Sequence, residues 1–389
     1  MDSEVLFTIT KENLETGLRG FPVGYCVTSS VDPEKGLFYC GKPLTDVVHW
    51  SCEEVIYLLL KGRQPSEEEK AQFIQEIRKE SSLSKETFSY IRKLPKGAHP
   101  MDLLISALMI TKTFEGHGDY EKDCIALIGK VPLIVATVIN HHSGWSQEQP
   151  SYDPGLGYME NFSRMMPVPG VNPDILAEVF RLFTILHFDH GGGNLSVFVG
   201  KAVASGLQDL YGSIAAGMSA LAGPRHGLAN QLTLAFVMEM QTALGAHPSE
   251  EEVRAYLVKK LQNKELLYGF GHAVLRVEDP RATIFYEYAE KHFGKHPLVQ
   301  LTLALRKVGP SVLREQLSNV SSPYPNIDAI SGTLLTAAGF YYPEYYTLLF
   351  GLSRSIGIAI QIVYERILAR GGKGTPIVRP KYLYKPRAV

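Results

Sequence analysis

Helix-start signals followed by one-sided apolar spacing recur along this chain and leave little room for a sheet-based fold. Ser66-Glu67-Glu68-Glu69 is a capping box, in which a serine side chain and a third-position glutamate serve each other's backbone N–H groups. Phe73, Ile74 and Ile77 then fall on one helical face. Ser249 to Glu252 repeats the device ahead of Val253, Tyr256, Leu257 and Leu261. Asn172-Pro173 supplies a cap and a first-turn proline, and Ile175, Val179, Leu182 and Leu186 follow at helical intervals.

Two stretches, Gly200 to Gly206 and Gly212 to Gly223, are rich in small residues. Glycine loses the most backbone entropy on folding, so helices here need compensation from close approach. The alanines and apolar residues between the glycines predict tightly packed internal or subunit-interface helices. Strand signals are few. The best is Gly36-Leu37-Phe38-Tyr39-Cys40 after the turn Asp32-Pro33-Glu34-Lys35, which predicts a short hairpin. No alternation of strands and helices recurs, which disfavours a doubly wound sheet. The expected class is mainly all-α.

A length of 389 residues suits two or three domains, yet no linker or internal repeat marks a boundary. Lys+Arg number 39 against 40 Asp+Glu, which argues against a globally basic nucleic-acid binder and an acidic disordered tail. No run approaches about 18 uninterrupted apolar residues, so no membrane span is expected. The start, MDSEVLFTITKENLE, reads as neither a secretory signal nor an Arg-rich transit peptide. A cytoplasmic location is expected, or the mitochondrial matrix if the chain is a processed mature form. Cys26, Cys40, Cys52 and Cys124 form no CxxC pair and read as incidental reduced thiols.

The twelve histidines are the unusual supply. His49, His247, His292 and His296 stand in polar or helix-flanking contexts and read as surface residues. His141-His142 precedes a Ser-Gly turn and reads as solvated. His187 and His190, in LHFDHGGGN, sit three apart at the end of a 172–190 helix, a spacing that puts both on one face. Beside Asp189 they suit a metal, an anion or a cationic helix cap. Gly191-Gly192-Gly193 then lets backbone approach closely.

His226, in AGPRHGLANQ, is presented by a turn or helix start. His272 lies in GFGHAVLRVEDPR, with Arg276 and Arg281 following and Asp279-Pro280 enforcing a turn. That stretch is not a dinucleotide fingerprint, because Val274 holds the third glycine position. Asp328, in YPNIDAISG, sits among Ile327, Ala329 and Ile330. Desolvation there raises a carboxyl pKa toward that of a useful base. The plainer reading has Asp328 capping a helix that begins at Ala329. Arg19 in GLRG, Arg354 in FGLSRSIG and Arg379 in VRPK carry guanidinium forks that match carboxylate and phosphate oxygens. With three histidines and one aspartate they point to a site for a small polyanion.

GPRHGLANQ, GFGHAVLRVEDPR and YPNIDAISG, in this order, resemble the citrate synthase family, and HFDHGGGN and FGLSRS fit it too. The resemblance runs from GLRG near residue 17 to RPK at 379–381 and is closest to the branch containing mitochondrial-type enzymes. It implies an almost wholly α-helical fold and a homodimer. Residues 1–226 and 335–389 would form a large domain, with 227–334 as a smaller helical domain closing over substrates. The implied reaction condenses acetyl-CoA with oxaloacetate and hydrolyses the thioester to citrate and CoA. No metal and no resident cofactor are implied, since the CoA thioester is a substrate; nor is a nucleic-acid or membrane partner.

Residue by residue, the resemblance makes Asp328 the base that removes a proton from the acetyl methyl group. It makes His226 the neutral donor to the enolate oxygen. His272 would polarise and protonate the oxaloacetate carbonyl. His190, Arg281 and Arg354 would hold the oxaloacetate carboxylates, Asn194 would shape their pocket, and Arg379 would reach the partner subunit's site. Arg19 and Arg276 match CoA phosphate positions, and the backbone of Leu266 to Phe270, Gly269 included, matches the adenine loop.

The chain also departs from the family. SNVSSPYPN carries Asn319 and Ser321 where relatives often have lysines. Asn140 replaces an arginine that reaches CoA, and Arg225 precedes His226 where an apolar or small residue is usual. A 2-methylcitrate or other alkylcitrate synthase therefore stays open as an alternative, since one methylene is worth only ~1–3 kcal/mol in an apolar pocket. Outside the family, the residues alone also suit a metal-dependent hydrolase built on His187, Asp189, His190, His226 and Asp328, or a helical scaffold without catalysis.

Overall fold

The computed structural model describes residues 5–224, 226–318 and 320–387. Arg225 and Asn319 lie outside the described residues. Near the N-terminus three short antiparallel strands, β1 (Ser29–Asp32), β2 (Gly36–Tyr39) and β3 (Lys42–Pro43), form one sheet. Ser29 pairs with Tyr39 and Asp32 with Gly36. The expected turn is held by Asp32, whose Oδ1 accepts from Glu34 N and Lys35 N at 2.9 Å each.

Helices make up nearly all the remaining regular secondary structure. The longer ones in the first half are α1 (Cys52–Lys61), α2 (Glu67–Glu80), α3 (Pro100–Glu115), α4 (Tyr120–Ser143) and α5 (Pro173–His187). Then come α6 (Leu195–Ser205), α7 (Leu210–Leu221), α8 (Ala229–Leu244), α9 (Glu250–Gln262) and α10 (Pro280–Phe293). The last are α11 (Pro297–Gln316), α12 (Asp328–Ala337) and α13 (Tyr346–Val363). The capping devices form as expected. Ser66 and Glu69 bond reciprocally at α2, Ser249 and Glu252 at α9, and Asn172 Oδ1 accepts from Asp174 N at α5.

The core is built around α13, of whose residues only Phe350 is not fully buried. It packs against α4, α5, α6 and α7. The small-residue helices α6 and α7 are indeed in close contact. A Cβ on Gly217 would lie 2.8 Å from Ser196 O, so only glycine permits that crossing. Two helical stretches, Tyr120–Ser143 and Pro343–Gly372, are long and apolar enough to cross a membrane, but 94% of each apolar window is buried in this core. They are core helices. A second group, α8 to α12, packs chiefly on itself, with α12 against α8, α10 and α11.

Some surface expectations do not hold. His141 is buried with Nε2 2.9 Å from Leu94 O, and His142 Nδ1 lies 2.7 Å from Tyr345 Oη. His296 is half-buried. Asn140, expected to stand where relatives reach CoA, is 2% exposed within α4 and donates its amide to Met165 O at 2.8 Å. It is a core residue. All these partners are remote in sequence, so local polarity carried no sign of them.

Candidate active site

Asp328 is the first residue of α12, and it does not cap that helix. Asn326 caps it instead, its Oδ1 accepting from Asp328 N at 3.0 Å. The Asp328 carboxylate is thereby left free of the helix end. Burial pushes its pKa up to about 6, with Asp279 adding to the rise and Arg281 opposing it. Asn326 also fixes the neighbouring loop, donating Nδ2 to Gly271 O and its backbone N to Gly269 O, both at 2.9 Å. The segments carrying Asp328 and His272 thus move as one piece.

His272 accepts at Nδ1 from Val274 N at 3.0 Å and from Leu275 N at 2.8 Å. A ring nitrogen that accepts backbone N–H groups cannot carry the proton, so the neutral ring is an Nε2–H donor. Burial, then Arg281, pushes its pKa down to about 4. His226 has the opposite tautomer. Its Nε2 accepts from Ser196 N at 3.3 Å, with Ser196 Oγ 3.0 Å from the same nitrogen, so Nδ1 carries the proton. Ser196 Oγ in turn donates to Asn194 Oδ1 at 3.2 Å. Burial, then the Arg354 charge, pushes the His226 pKa down to about 4. Both rings are neutral donors at pH 7.

His190 stands beside His272, with the ring centroids 5.3 Å apart. Burial and the nearby Arg281 and Arg354 charges hold it well below the usual histidine range. Arg281 is buried and bidentate to Asp279, Nε to Oδ1 at 3.0 Å and Nη2 to Oδ2 at 2.7 Å. Arg354 is 1% exposed, donates Nε to His187 O at 3.1 Å, and lies over the Phe350 ring at 4.8 Å. His190 Nε2 and Arg354 Nη1 are buried without a hydrogen-bond partner. Buried polar groups are normally satisfied, and these two unpaired atoms stand in the same charged cluster, where an anionic partner can meet them.

The expected helical His-x-x-His pair is not formed. Helix α5 ends at His187, and His190 lies beyond it. His187 is buried, stacked on Phe183 at 4.1 Å, with Nδ1 2.7 Å from Phe183 O. The Asp189 carboxylate is occupied by Thr28, Gln361 and the His190 backbone. Among the described residues, no three His, Cys, Asp or Glu side chains gather to hold a metal ion. The hydrolase constellation therefore has no common centre in this fold.

The expected CoA residues are more scattered. Leu266 is 73% exposed, and Ser321 is exposed too. Gly269, at φ +83°, lies against Ala329 and Thr233, and Phe270 packs its ring on Gly309. Both have internal contacts. Arg276 is exposed and donates Nη1 to Val274 O and Leu275 O at 2.9 and 3.0 Å, with its backbone N on Pro33 O. Arg19 and Arg379 are exposed on the two terminal segments and take no part in the histidine–arginine cluster. Sequence reasoning missed Ser196, Gln361 and Thr28 altogether and read Asp279 only as a turn former. Only the last carried a signal, two positions before Arg281.

Comparisons with known proteins point to one family. Residues 17–381 match the family model described as citrate synthase, C-terminal domain. The chain is 35% identical to citrate synthase 4, mitochondrial, of Arabidopsis thaliana, covering 97% of this chain and 82% of the relative. It is also 35% identical to the mitochondrial citrate synthase of Daucus carota, over 97% and 83%. Among solved structures it resembles the Thermoplasma acidophilum citrate synthase, in ternary complex with carboxymethyl coenzyme A and oxaloacetate. The TM-score is 0.82 at 25% identity, covering 96% of both chains. The Pyrobaculum aerophilum citrate synthase gives 0.80 at 28% identity, over 96% and 93%.

Proposed function

The chain belongs to the citrate synthase family and its activity is that of a citrate synthase, and we propose that His226, His272 and Asp328 perform its chemistry. The observation that carries this reading is a shared charged cluster: Arg281 lies close enough to act on Asp328, His272 and His190, and Arg354 on His226 and His190, while the neutral His226 and His272 rings present opposite ring N–H groups.

Oxaloacetate takes its carboxylates to the orphaned His190 Nε2 and Arg354 Nη1 and to Arg281, with Asn194 shaping the pocket. Its carbonyl oxygen accepts from His272 Nε2–H. The acetyl-CoA thioester oxygen accepts from His226 Nδ1–H while Asp328 removes a methyl proton. Abstraction of so weak an acid needs the developing enolate oxygen stabilised at the same moment. A neutral donor does this without becoming the base. The enolate carbon then adds to the oxaloacetate carbonyl carbon; His272 passes its Nε2 proton to the new hydroxyl and takes up the proton that Asp328 removed, so both groups end as they began. Hydrolysis of the citryl thioester yields citrate and CoA. No resident cofactor enters this scheme.

Around this centre, residues 227–334 act as a small domain that closes over the substrates and excludes water. Arg19, Arg276 and the Leu266–Phe270 loop, with Gly269, face CoA. Exposed apolar side chains on both terminal segments, among them Val5, Leu6, Ile9 and Leu383, support a homodimer. In it Arg379 reaches the partner's oxaloacetate. The curated relatives named above are mitochondrial proteins, which favours a mitochondrial over a cytoplasmic site of action.

Thiol release in a steady-state assay with oxaloacetate tests the activity and the acyl preference together. A higher kcat/KM is expected with acetyl-CoA than with propionyl-CoA. A preference for propionyl-CoA would move the assignment to methylcitrate formation, and no release with either would overturn it.

A further inference from the structure

The buried Asp189 carboxylate has no part in the chemistry above, yet it bonds the His190 backbone and lies close enough to Arg354 to feel its charge. The segment His187–Gly191 crosses α13 at Gly357, where a Cβ would lie only 2.0 Å from Phe188 O. Arg354, Gly357 and Gln361 lie three and four apart, so all three share one face of α13. Arg354 Nε holds His187 O at 3.1 Å on one side of the crossing. Gln361 Nε2 holds Asp189 Oδ1 at 2.7 Å on the other. The same Oδ1 accepts from His190 N at 2.7 Å.

The opposite side of the segment is held by the N-terminal sheet. Thr28 Oγ1 donates to Asp189 Oδ2, Ser29 Oγ accepts from Gly191 N at 2.7 Å, and Tyr39 Oη lies 3.3 Å from Asp189 N. Gln361 is itself oriented, because Lys201 Nζ donates to its Oε1 at 3.1 Å and pairs with Glu365 at 2.8 Å. Lys201 thus fixes which end of the amide faces Asp189.

We propose that Asp189 and Gln361 are positioning residues for oxaloacetate: together they strap the His187–Gly191 segment across α13 and aim the His190 imidazole at the substrate. The proposal rests on His190 and Arg354 being the oxaloacetate ligands. Neither Asp189 nor Gln361 touches the substrate. Their effect passes through the His190 backbone, so it falls on oxaloacetate and spares CoA.

The test exchanges the two partners. Gln361→Glu sets two carboxylates against each other at the 2.7 Å contact. Adding Asp189→Asn removes one of the two charges but not the defect, because the Oδ1 that meets Gln361 also accepts from His190 N, and neither orientation of the asparagine amide serves both. The KM for oxaloacetate is expected to rise at least about tenfold in Gln361→Glu and to stay at least about threefold raised in the double variant, where His190 N and residue 361 compete for one amide. The KM for acetyl-CoA should change less than about twofold in both. His190→Ala is measured alongside. If it loses oxaloacetate affinity while Gln361→Glu does not, the strap is wrong and the ligand assignment stands. If neither loses affinity, both fall. A double variant with the wild-type oxaloacetate KM also overturns the strap. Should Gln361→Glu fail to fold, Gln361→Met removes the donor without adding charge, and an unchanged oxaloacetate KM there counts equally against the proposal.

Discussion

The rings of His190 and His272 stand 5.3 Å apart at an interplanar angle of 61°, brought together from the end of α5 and the loop before α10. Two protonated imidazoles would repel at that distance, and Arg281 and Arg354 raise the cost further. The pair is therefore stable only as neutral rings. That condition also suits substrate binding, because a neutral ring can offer a hydrogen bond without surrendering its proton too early.

The pH dependence of kcat/KM for acetyl-CoA should show an acid limb near pH 6. Asp328 must be ionised to act, and its carboxyl is raised to about 6 by burial. Activity is thus present above that value and falls as the pH drops through it. His226 and His272, at about 4, remain neutral over the same range. A limb lying near the ordinary aspartate value, about 4, would show that Asp328 is solvated or is not the base.

Ser196→Ala keeps the backbone N–H that His226 Nε2 accepts at 3.3 Å but loses the hydroxyl 3.0 Å from that nitrogen and the link to Asn194. The expected result is a kcat lowered roughly tenfold, with the oxaloacetate KM within about twofold of normal. A normal kcat would show that the backbone contact alone sets the tautomer.

Gly357→Ala places a methyl group 2.0 Å from Phe188 O in a buried crossing. Such overpacking costs about 1–3 kcal/mol. A melting temperature lower by a few degrees and a raised oxaloacetate KM are expected, read by calorimetry and initial rates. An unchanged melting temperature would mean that the segment shifts freely at this point.

Arg379→Ala should give inactive homodimers, as should Arg354→Ala. Mixing the two under subunit exchange should restore part of the activity, since hybrid dimers then hold one site with both arginines. No recovery despite demonstrated exchange would show that Arg379 serves its own subunit.

What could be read from sequence divides along the range of the interaction. The caps at Ser66, Asn172 and Ser249 and the Asp32 turn depend on residues within three positions, and all formed as expected. Asp328 shows where local reasoning stops. Its sequence suits a cap, but Asn326, two residues earlier, takes the backbone N–H and frees the carboxylate. His141 looks solvated in sequence and Asn140 matches a CoA-reaching position by resemblance, yet their partners, Leu94 and Met165, are reached only through helix packing. The Asp189–Gln361 bond was invisible for the same reason, although His190 next to it was legible.

Everything in the proposed chemistry depends on Asp328 being the base that acts beside His226 on a bound CoA thioester. Wild type and Asp328→Asn should be compared in two measurements on the same preparation: citrate formation rate, and oxaloacetate binding by calorimetry. A kcat at least about a thousandfold lower is expected, with oxaloacetate affinity within about threefold, because the residue enters the chemistry and not the carboxylate site. Near-normal turnover in Asp328→Asn, with binding intact, would contradict it.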